Sequence, residues 1–196
     1  MVATCLREPG DEMIFDAHTA DFVRILTQAT RFLMSAKTVH KQDSPVYKSL
    51  HSGVFHFTVD LSWSPHLFYT ALHCRVRSVR LTAFQLLRVF HFREEIWDSY
   101  LVASAAEEIM RMEEGVDSLE EFVKAHDPSW LLSWTDDARL EVRGERIPPS
   151  RRISIVRVAL PEEVIVPSVA SFTCCIRTDR GLEEIATNFP LVSKTL

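Results

Sequence analysis

The fold is decided by the stretch Phe68-Tyr69-Thr70-Ala71-Leu72-His73-Cys74-Arg75-Val76-Arg77-Ser78-Val79-Arg80, in which one helical pattern ends and another begins. Pro65 stands where a first-turn proline is favoured. Apolar residues then follow at helical spacing: Leu67, Phe68, Ala71, Leu72 and Cys74. The pattern breaks near residues 75–78, so the sequence predicts two helices separated by an arginine-rich corner.

Two more apolar series continue the helical pattern beyond this corner. The first consists of Val79, Ala83, Leu86, Leu87 and Phe90, and the second of Trp97, Leu101, Ala105, Ile109 and Met112. Each series keeps the spacing of three and four that marks one face of a helix. Because each helix is apolar on one face only, we expect the three helices to pack on one another.

Charged residues gather at the two junctions between these series. Arg75, Arg77 and Arg80 occupy the first, and residues 93–98 contain Arg93, Glu94, Glu95 and Asp98. Arginine at a helix end pairs with carboxylates or with carbonyls that lack an intrahelical donor. We expect partly buried ion pairs between the two corners, and the alternative is a solvated run of charges that contributes little.

A further helical pattern precedes the corner and begins near Asp16. Its apolar positions are Phe22, Leu26, Ala29, Leu33 and Ala36, and Asp16 or Thr19 can cap it. The run is too short to require a coiled coil, so we expect a core-facing helix rather than a dimer helix. The polar segment at residues 38–52 has the composition of a surface linker.

The last third of the chain has strand patterns. Residues 139–143, 153–158 and 171–177 alternate or are rich in branched side chains, and the connections carry turn residues. The sequence thus predicts a mainly α (α+β) fold, in which an antiparallel helical bundle or array precedes a small antiparallel β-meander. We expect a single domain over residues 1–196, helical over about 15–125 and β-rich over about 138–180.

Composition limits the classes of partner. The formal net charge is -5, 46% of residues are hydrophobic and 25% are charged, which is typical of a globular domain. The sequence has neither a membrane-spanning run nor a secretory signal pattern, so we expect an intracellular protein. Arg143, Arg146, Arg151 and Arg152 could contact nucleic acid or act as an import signal, but a solvated loop is the favoured interpretation.

The motifs of common catalytic and metal sites are missing. No GxGxxG, GxxxxGK[ST], GxSxG, HExxH or EF-hand pattern occurs, and Cys5, Cys74, Cys174 and Cys175 lack zinc-site or redox spacing. We therefore expect no catalytic residue, no metal and no cofactor. The alternative is an apolar ligand pocket or enzyme site built from aromatic residues and histidines: His56, Trp63, His66, Tyr69 and His73.

Three segments of the chain resemble the C-terminal regulatory region of fungal zinc-cluster transcription factors. The family has a proline-led "PLY" helix ending in "KCR", then "RR.A..LL" and "P.REG.WDS". The counterparts here are Pro65 through His73-Cys74-Arg75, then residues 80–87, then Phe92-Arg93-Glu94-Glu95-Ile96-Trp97-Asp98-Ser99. The resemblance covers roughly residues 15–178. We call the following its signature residues: Pro65, Tyr69, Cys74, Arg75, Arg80, Arg93, Glu94, Trp97 and Asp98.

The resemblance also has departures. The family reads DNA through six cysteines that hold two zinc ions, whereas this chain has four cysteines, none suitably spaced. Glu95 stands where the family usually has glycine, and residues 183–196 lack the expected tryptophan-containing strand. The resemblance thus implies no direct DNA binding by this chain.

What the resemblance implies is a non-catalytic interaction or effector-sensing domain in transcriptional control, often of metabolic gene clusters. Its partners would be co-regulators or other transcription factors, with or without a small-molecule effector, and its location the nucleus. The chain would be either a fragment of a longer DNA-binding protein or a stand-alone relative that lacks the DNA reader.

Overall fold

Helices form the first part of the chain in the computed structural model, which describes residues 12–39, 63–89, 93–94, 97–127, 145–159, 169–178 and 181–190. The α-helices are α1 (Thr19–Val39), α2 (Trp63–His73), α3 (Arg77–Val89), α4 (Ser99–Glu114) and the short α5 (Glu120–Ala125). Short 3-10 helices cover Glu12–His18 and Pro149–Arg151. None of the helices described is both long and apolar enough to cross a bilayer.

Helix α1 packs its apolar face into the core, as predicted. Phe22, Leu26 and Ala29 are buried, whereas the side chains of Leu33 and Ala36 lie outside the described residues. Asp16 and Thr19, the two residues predicted to cap α1, form a hydrogen bond with each other. Thr19 Oγ1 donates to the Asp16 carbonyl (3.1 Å) in the preceding 3-10 helix.

The predicted corner lies between α2 and α3. Helix α2 ends at His73, and the Cys74 N–H continues its hydrogen bonding by donating to the Thr70 carbonyl (3.0 Å). Helix α3 begins at Arg77, four residues after the end of α2. Buried residues of α2, α3 and α4 share one core, among them Leu67, Ala71, Val79, Ala83, Leu87, Ala105 and Ile109. The prediction that these helices pack on one another is confirmed.

Helix α4 begins at Ser99, two residues later than the apolar pattern predicted. Trp97 belongs instead to strand β2 (Trp97–Asp98), which pairs antiparallel with β1 (Arg93–Glu94). Ladder pairing holds the backbone extended through Asp98, and a helix can start only after it. At the other end, Gly115 adopts a φ of 69°, and the N–H groups of Gly115 and Val116 both donate to the Arg111 carbonyl.

An antiparallel sheet follows, in the order β3 (Ile153–Ala159), β4 (Val169–Thr178) and β5 (Gly181–Pro190). The fold class is therefore as predicted: mainly helical, with a small C-terminal meander. Two of the predicted strands correspond to β3 and β4, while residues 139–143 lie outside the described residues. The expected end of the β-rich part near residue 180 is wrong, because Thr178 pairs with Gly181 and β5 continues to Pro190.

The sheet shares the core of the helices. Ile153 and Cys174 are fully buried in it, and Ile176 and Ile185 pack against it. Residues 145–152, which we call the strap, run alongside the α2–α3 corner before β3 begins. The Ile147 N–H donates to the Arg75 carbonyl (3.0 Å), and the Arg77 N–H donates to the Glu145 carbonyl (2.9 Å). The strap thereby connects the helices to the sheet.

Candidate functional site

The most unusual site in the described chain is a buried cluster of Arg80, Glu113 and Arg152, which we call the junction. Their side chains are at most 2% exposed. Glu113 Oε2 contacts Arg80 Nη2, and Glu113 Oε1 lies 3.3 Å from Arg152 Nη1. Glu113 Oε1 also accepts the Ile153 N–H at 2.8 Å. One carboxylate therefore faces two guanidinium groups and the first backbone N–H of β3.

The same guanidinium groups bind the C-terminal carbonyls of α2. Arg80 Nε donates to the Ala71 carbonyl at 2.7 Å. Arg152 Nη2 donates to the carbonyls of Leu72 (2.9 Å) and His73 (3.1 Å). The last carbonyls of a helix lack an intrahelical donor and carry the negative end of its dipole. The junction side chains have two positive charges and one negative, and the end of α2 offsets the excess.

Hydrogen bonding inside the junction is incomplete. The contact between Arg80 Nη2 and Glu113 Oε2 is an ion pair by distance, but its angles are not those of a hydrogen bond. Arg80 Nη1 has no hydrogen-bond partner within the part of the chain that the structure describes. Burying such a group costs free energy, and the ion pair and the carbonyl bond must offset that cost.

Arg75 and Arg77 extend the network toward the surface. Arg75 Nε donates to the Ile147 carbonyl (2.8 Å), and its Nη1 donates to Asp16 Oδ2 (2.6 Å). Arg77 binds Glu114 through two parallel hydrogen bonds of 2.8 and 2.5 Å and also contacts Glu145. The hydrogen bonds that Arg77 donates to the Glu114 carboxylate raise the pKa of Arg77 above its usual value.

Arg151 and Arg152 are consecutive, and each binds the end of a different helix. Arg152 binds the end of α2, and Arg151 Nη1 donates to the Glu114 carbonyl (3.1 Å) at the end of α4. The predicted solvated loop is wrong for Arg152, which is buried, whereas Arg146 and Arg151 are exposed. Arg143 lies outside the described residues. No local pattern marks Arg152, because the groups it contacts are far away in sequence.

Three of the ion pairs at the corner are partly or fully buried, as the sharper sequence interpretation required, whereas the pair between Arg77 and Glu145 is exposed. The carboxylates that the structure shows facing Arg75, Arg77 and Arg80 come from other elements: Asp16, Glu113, Glu114 and Glu145. Side chains at residues 93–98 lie outside the described residues. Pairing between the two corners therefore stays a prediction.

The other signature residues occupy structural positions. Pro65 lies in the first turn of α2 and, like Tyr69, is half-buried. Cys74 is fully buried, and burial raises the pKa of its thiol to about 11 despite the nearby Arg80 and Arg152. The backbones of Arg93, Glu94, Trp97 and Asp98 form the β1–β2 ladder.

The residues of the predicted ligand pocket fall into two ring groups. His73 lies 4.3 Å from the ring centroids of both Phe15 and Tyr69, so aromatic rings pack directly against it. Trp63 and His66 meet at 6.4 Å near the start of α2, and Phe32 lies 6.2 Å from Trp63. His56 lies outside the described residues. Among the residues described, no group of three or more metal-ligating side chains comes together.

Comparisons with known proteins add no relative of this chain. No protein-family model, curated protein or solved structure matched it. A functional proposal therefore depends on the geometry of the site and on the sequence resemblance.

Proposed function

We propose that this chain is a non-catalytic protein-interaction or effector domain of the transcription-regulator type, without a DNA-binding zinc cluster of its own. The observation that carries the proposal is the position of the signature arginines. Arg75 and Arg80 bind carbonyls and carboxylates of their own chain. The residues that carry the resemblance thus build a scaffold, and the activity belongs to the surface that this scaffold presents.

A protein partner fits the charge distribution better than nucleic acid does. Arg75, Arg77, Arg80 and Arg152 each face a carboxylate of this chain. With these cations neutralised internally and a formal net charge of -5, attraction to phosphates is weak. The partners we propose are co-regulators or other transcription factors, with or without a small-molecule effector, met in the nucleus.

The alternative of a small-molecule-binding protein or enzyme receives less support. It requires His73 and Tyr69 to line a space for a ligand, yet Phe15 packs within ring-contact distance of both. Aromatic side chains in mutual contact of this kind are typical of a core.

A tethering experiment tests the proposal. The full chain is fused to an unrelated DNA-binding module, and transcription of a reporter is compared with the module alone. We expect a several-fold change in either direction. The same fusion carrying Arg24→Ala, a change on the exposed side of α1, should behave like the wild type.

The contrasting variant is Arg80→Ala, which removes the junction and should abolish the effect through loss of the fold. Circular dichroism of each purified chain separates loss of fold from loss of contact. A folded wild-type fusion that leaves transcription unchanged and binds no transcriptional regulator would contradict the proposal.

A further inference from the structure

Strand β5 lies at an edge of the three-stranded sheet, and its ladder is long and regular. The sheet order is β3-β4-β5, so β4 is its one neighbour among the described strands. All ten residues of β5 pair with β4 in one unbroken register, from Gly181 opposite Thr178 to Pro190 opposite Val169. In an antiparallel ladder every second residue directs its N–H and C=O groups away from the paired strand. The outer side of β5 is therefore a row of backbone donors and acceptors with which an extended chain can pair.

The opposite edge of the sheet, formed by β3, has features that protect it. The pairing of β3 with β4 shifts register between Ser154 and Arg157, and such an irregularity disrupts the ladder locally. The first backbone N–H of β3, that of Ile153, donates to Glu113. Strand β5 has no register shift and no proline before its last residue. Natural sheets protect their edges with bulges, prolines or charges, so the charges of β5 decide which chains it accepts.

The side chains of β5 give this edge a negative charge. Glu183 and Glu184 are the charged residues of the strand, and both are exposed. The residues opposite them on β4, Ile176 and Cys175, are not basic. Successive side chains of a strand point to opposite faces, so one carboxylate lies on each face of the sheet near the start of β5. A strand added along this edge meets both of them.

These charges argue against a second copy of this chain as the occupant of the edge. Two β5 strands that overlap along their length bring four carboxylates into one ladder, and like charges on neighbouring strands are destabilising. Each chain also has a formal net charge of -5. The occupant that suits the edge has backbone groups available to extend the sheet and side chains of the opposite sign.

We propose that the outer edge of β5 is a docking site for an extended, basic peptide segment of a partner protein, which adds to the sheet as a further strand. Backbone hydrogen bonds to β5 hold the segment, and its lysine or arginine side chains pair with Glu183 and Glu184. This names a class of partner for the proposed interaction domain and rests on that proposal for its biological role. Peptide binding is measured on the purified protein, so its failure and the failure of the reporter assay are separate results.

Binding of short labelled peptides to the full chain tests the site. The probe is a peptide of four lysines alternating with four threonines, and its binding is followed by fluorescence anisotropy at low salt. A peptide that alternates lysine with proline keeps the charge but lacks half of the backbone N–H groups. A peptide that alternates glutamate with threonine keeps the backbone but reverses the charge. We expect both control peptides to bind several-fold more weakly than the probe.

The double variant Glu183→Gln with Glu184→Gln identifies where the probe binds. It removes both charges of the edge, so we expect it to bind the probe several-fold more weakly than the wild type does. The matched control is Glu120→Gln with Glu121→Gln, which changes two adjacent exposed glutamates on α5 and should leave the affinity unchanged. Equal losses in the two double variants would show a general effect of net charge and would overturn the site.

Hydrogen exchange followed by NMR gives an independent result on the wild type. In the free chain, the β5 amides that point away from β4 should exchange faster than those that bond to it, and saturating probe should slow them several-fold. Equal protection of alternate β5 amides in the free chain would show that the edge is already covered. Protection that rises with the concentration of the free chain would show that a second copy occupies it. Either result would overturn the inference, as would no binding of the probe or equal binding of a control peptide.

Discussion

Glu113 at the end of α4 and Arg152 at the end of the strap form a buried ion pair, with 3.3 Å between Oε1 and Nη1. Glu113 also accepts the backbone N–H of Ile153, the first residue of β3. The pair thus joins the end of a central helix to the start of the sheet. Arg80 approaches the same carboxylate from α3, so three distant parts of the chain meet at one side chain.

Arg152→Met should be strongly destabilising. It removes the donor for the Leu72 and His73 carbonyls and one of the two cations facing Glu113. Breaking a buried charge pair costs about 3–5 kcal/mol. The neighbouring Arg151→Met is the matched control, since its exposed side chain donates one bond to the Glu114 carbonyl, worth about 0.5–1.5 kcal/mol. Urea unfolding measures both variants, and equal losses would be inconsistent with the assigned contacts.

Replacing the whole junction by apolar residues separates ion pairing from helix capping. Apolar replacement of a buried ion cluster is often neutral or stabilising. Here the combined variant Arg80→Met, Glu113→Leu and Arg152→Met also leaves the carbonyls of Ala71, Leu72 and His73 without those donors. Because each such buried group costs about 1–3 kcal/mol, we expect a lower free energy of unfolding in urea than for the wild type. A combined variant as stable as the wild type would show that the hydrogen bonds to these carbonyls contribute nothing to stability.

Arg75→Lys should lower the stability of the protein although it keeps the positive charge. Arg75 uses two separate nitrogens, Nε for the Ile147 carbonyl and Nη1 for Asp16. A single ammonium cannot reproduce that planar fork. The expected loss is about 1.5–3 kcal/mol, the range for a hydrogen bond to a charged group. Arg24→Lys, at an exposed pair with Asp21, should change the stability by less than about 0.5 kcal/mol in the same thermal melt.

The buried thiol of Cys74 should make stability fall in alkali. Its pKa is about 11 in the folded chain against 9.0 in the unfolded chain. The folded state therefore keeps its proton longer, and that stabilisation, present below pH 9.0, is lost at about 1.4 kcal/mol per pH unit as the pH rises toward 11. The measurement is the difference in unfolding free energy between wild type and Cys74→Ala. A difference that stays constant over this range would contradict the prediction.

Much of the helical architecture could be predicted because it depends on local periodicity. The apolar spacing around Leu67 and Ala83 identifies α2 and α3, and the arginines between them mark the corner. The residues at which helices begin and end are harder to predict from the sequence. The pattern places Trp97 in a helix, but cross-strand pairing with Glu94 takes that residue into β2.

The long-range contacts could not be predicted. Arg152 sits in a basic, proline-containing segment that is typical of a solvated loop, and only the tertiary fold brings it to Glu113. Strand β5 (Gly181–Pro190) could not be predicted for a similar reason. Its exposed Glu183 and Glu184 interrupt the apolar alternation, whereas continuous pairing with β4 makes the strand.

The most direct test of the junction compares Glu113→Gln with Glu108→Gln by urea unfolding. Both residues lie on α4, but Glu113 is fully buried between two guanidinium groups, whereas Glu108 forms a partly exposed pair with Arg111. Glu113→Gln keeps the shape and leaves two buried cations without their carboxylate, so we predict a loss of about 3–5 kcal/mol. Glu108→Gln should cost less than about 1 kcal/mol. A Glu113→Gln chain whose stability matches that of Glu108→Gln would contradict a structural role for the junction.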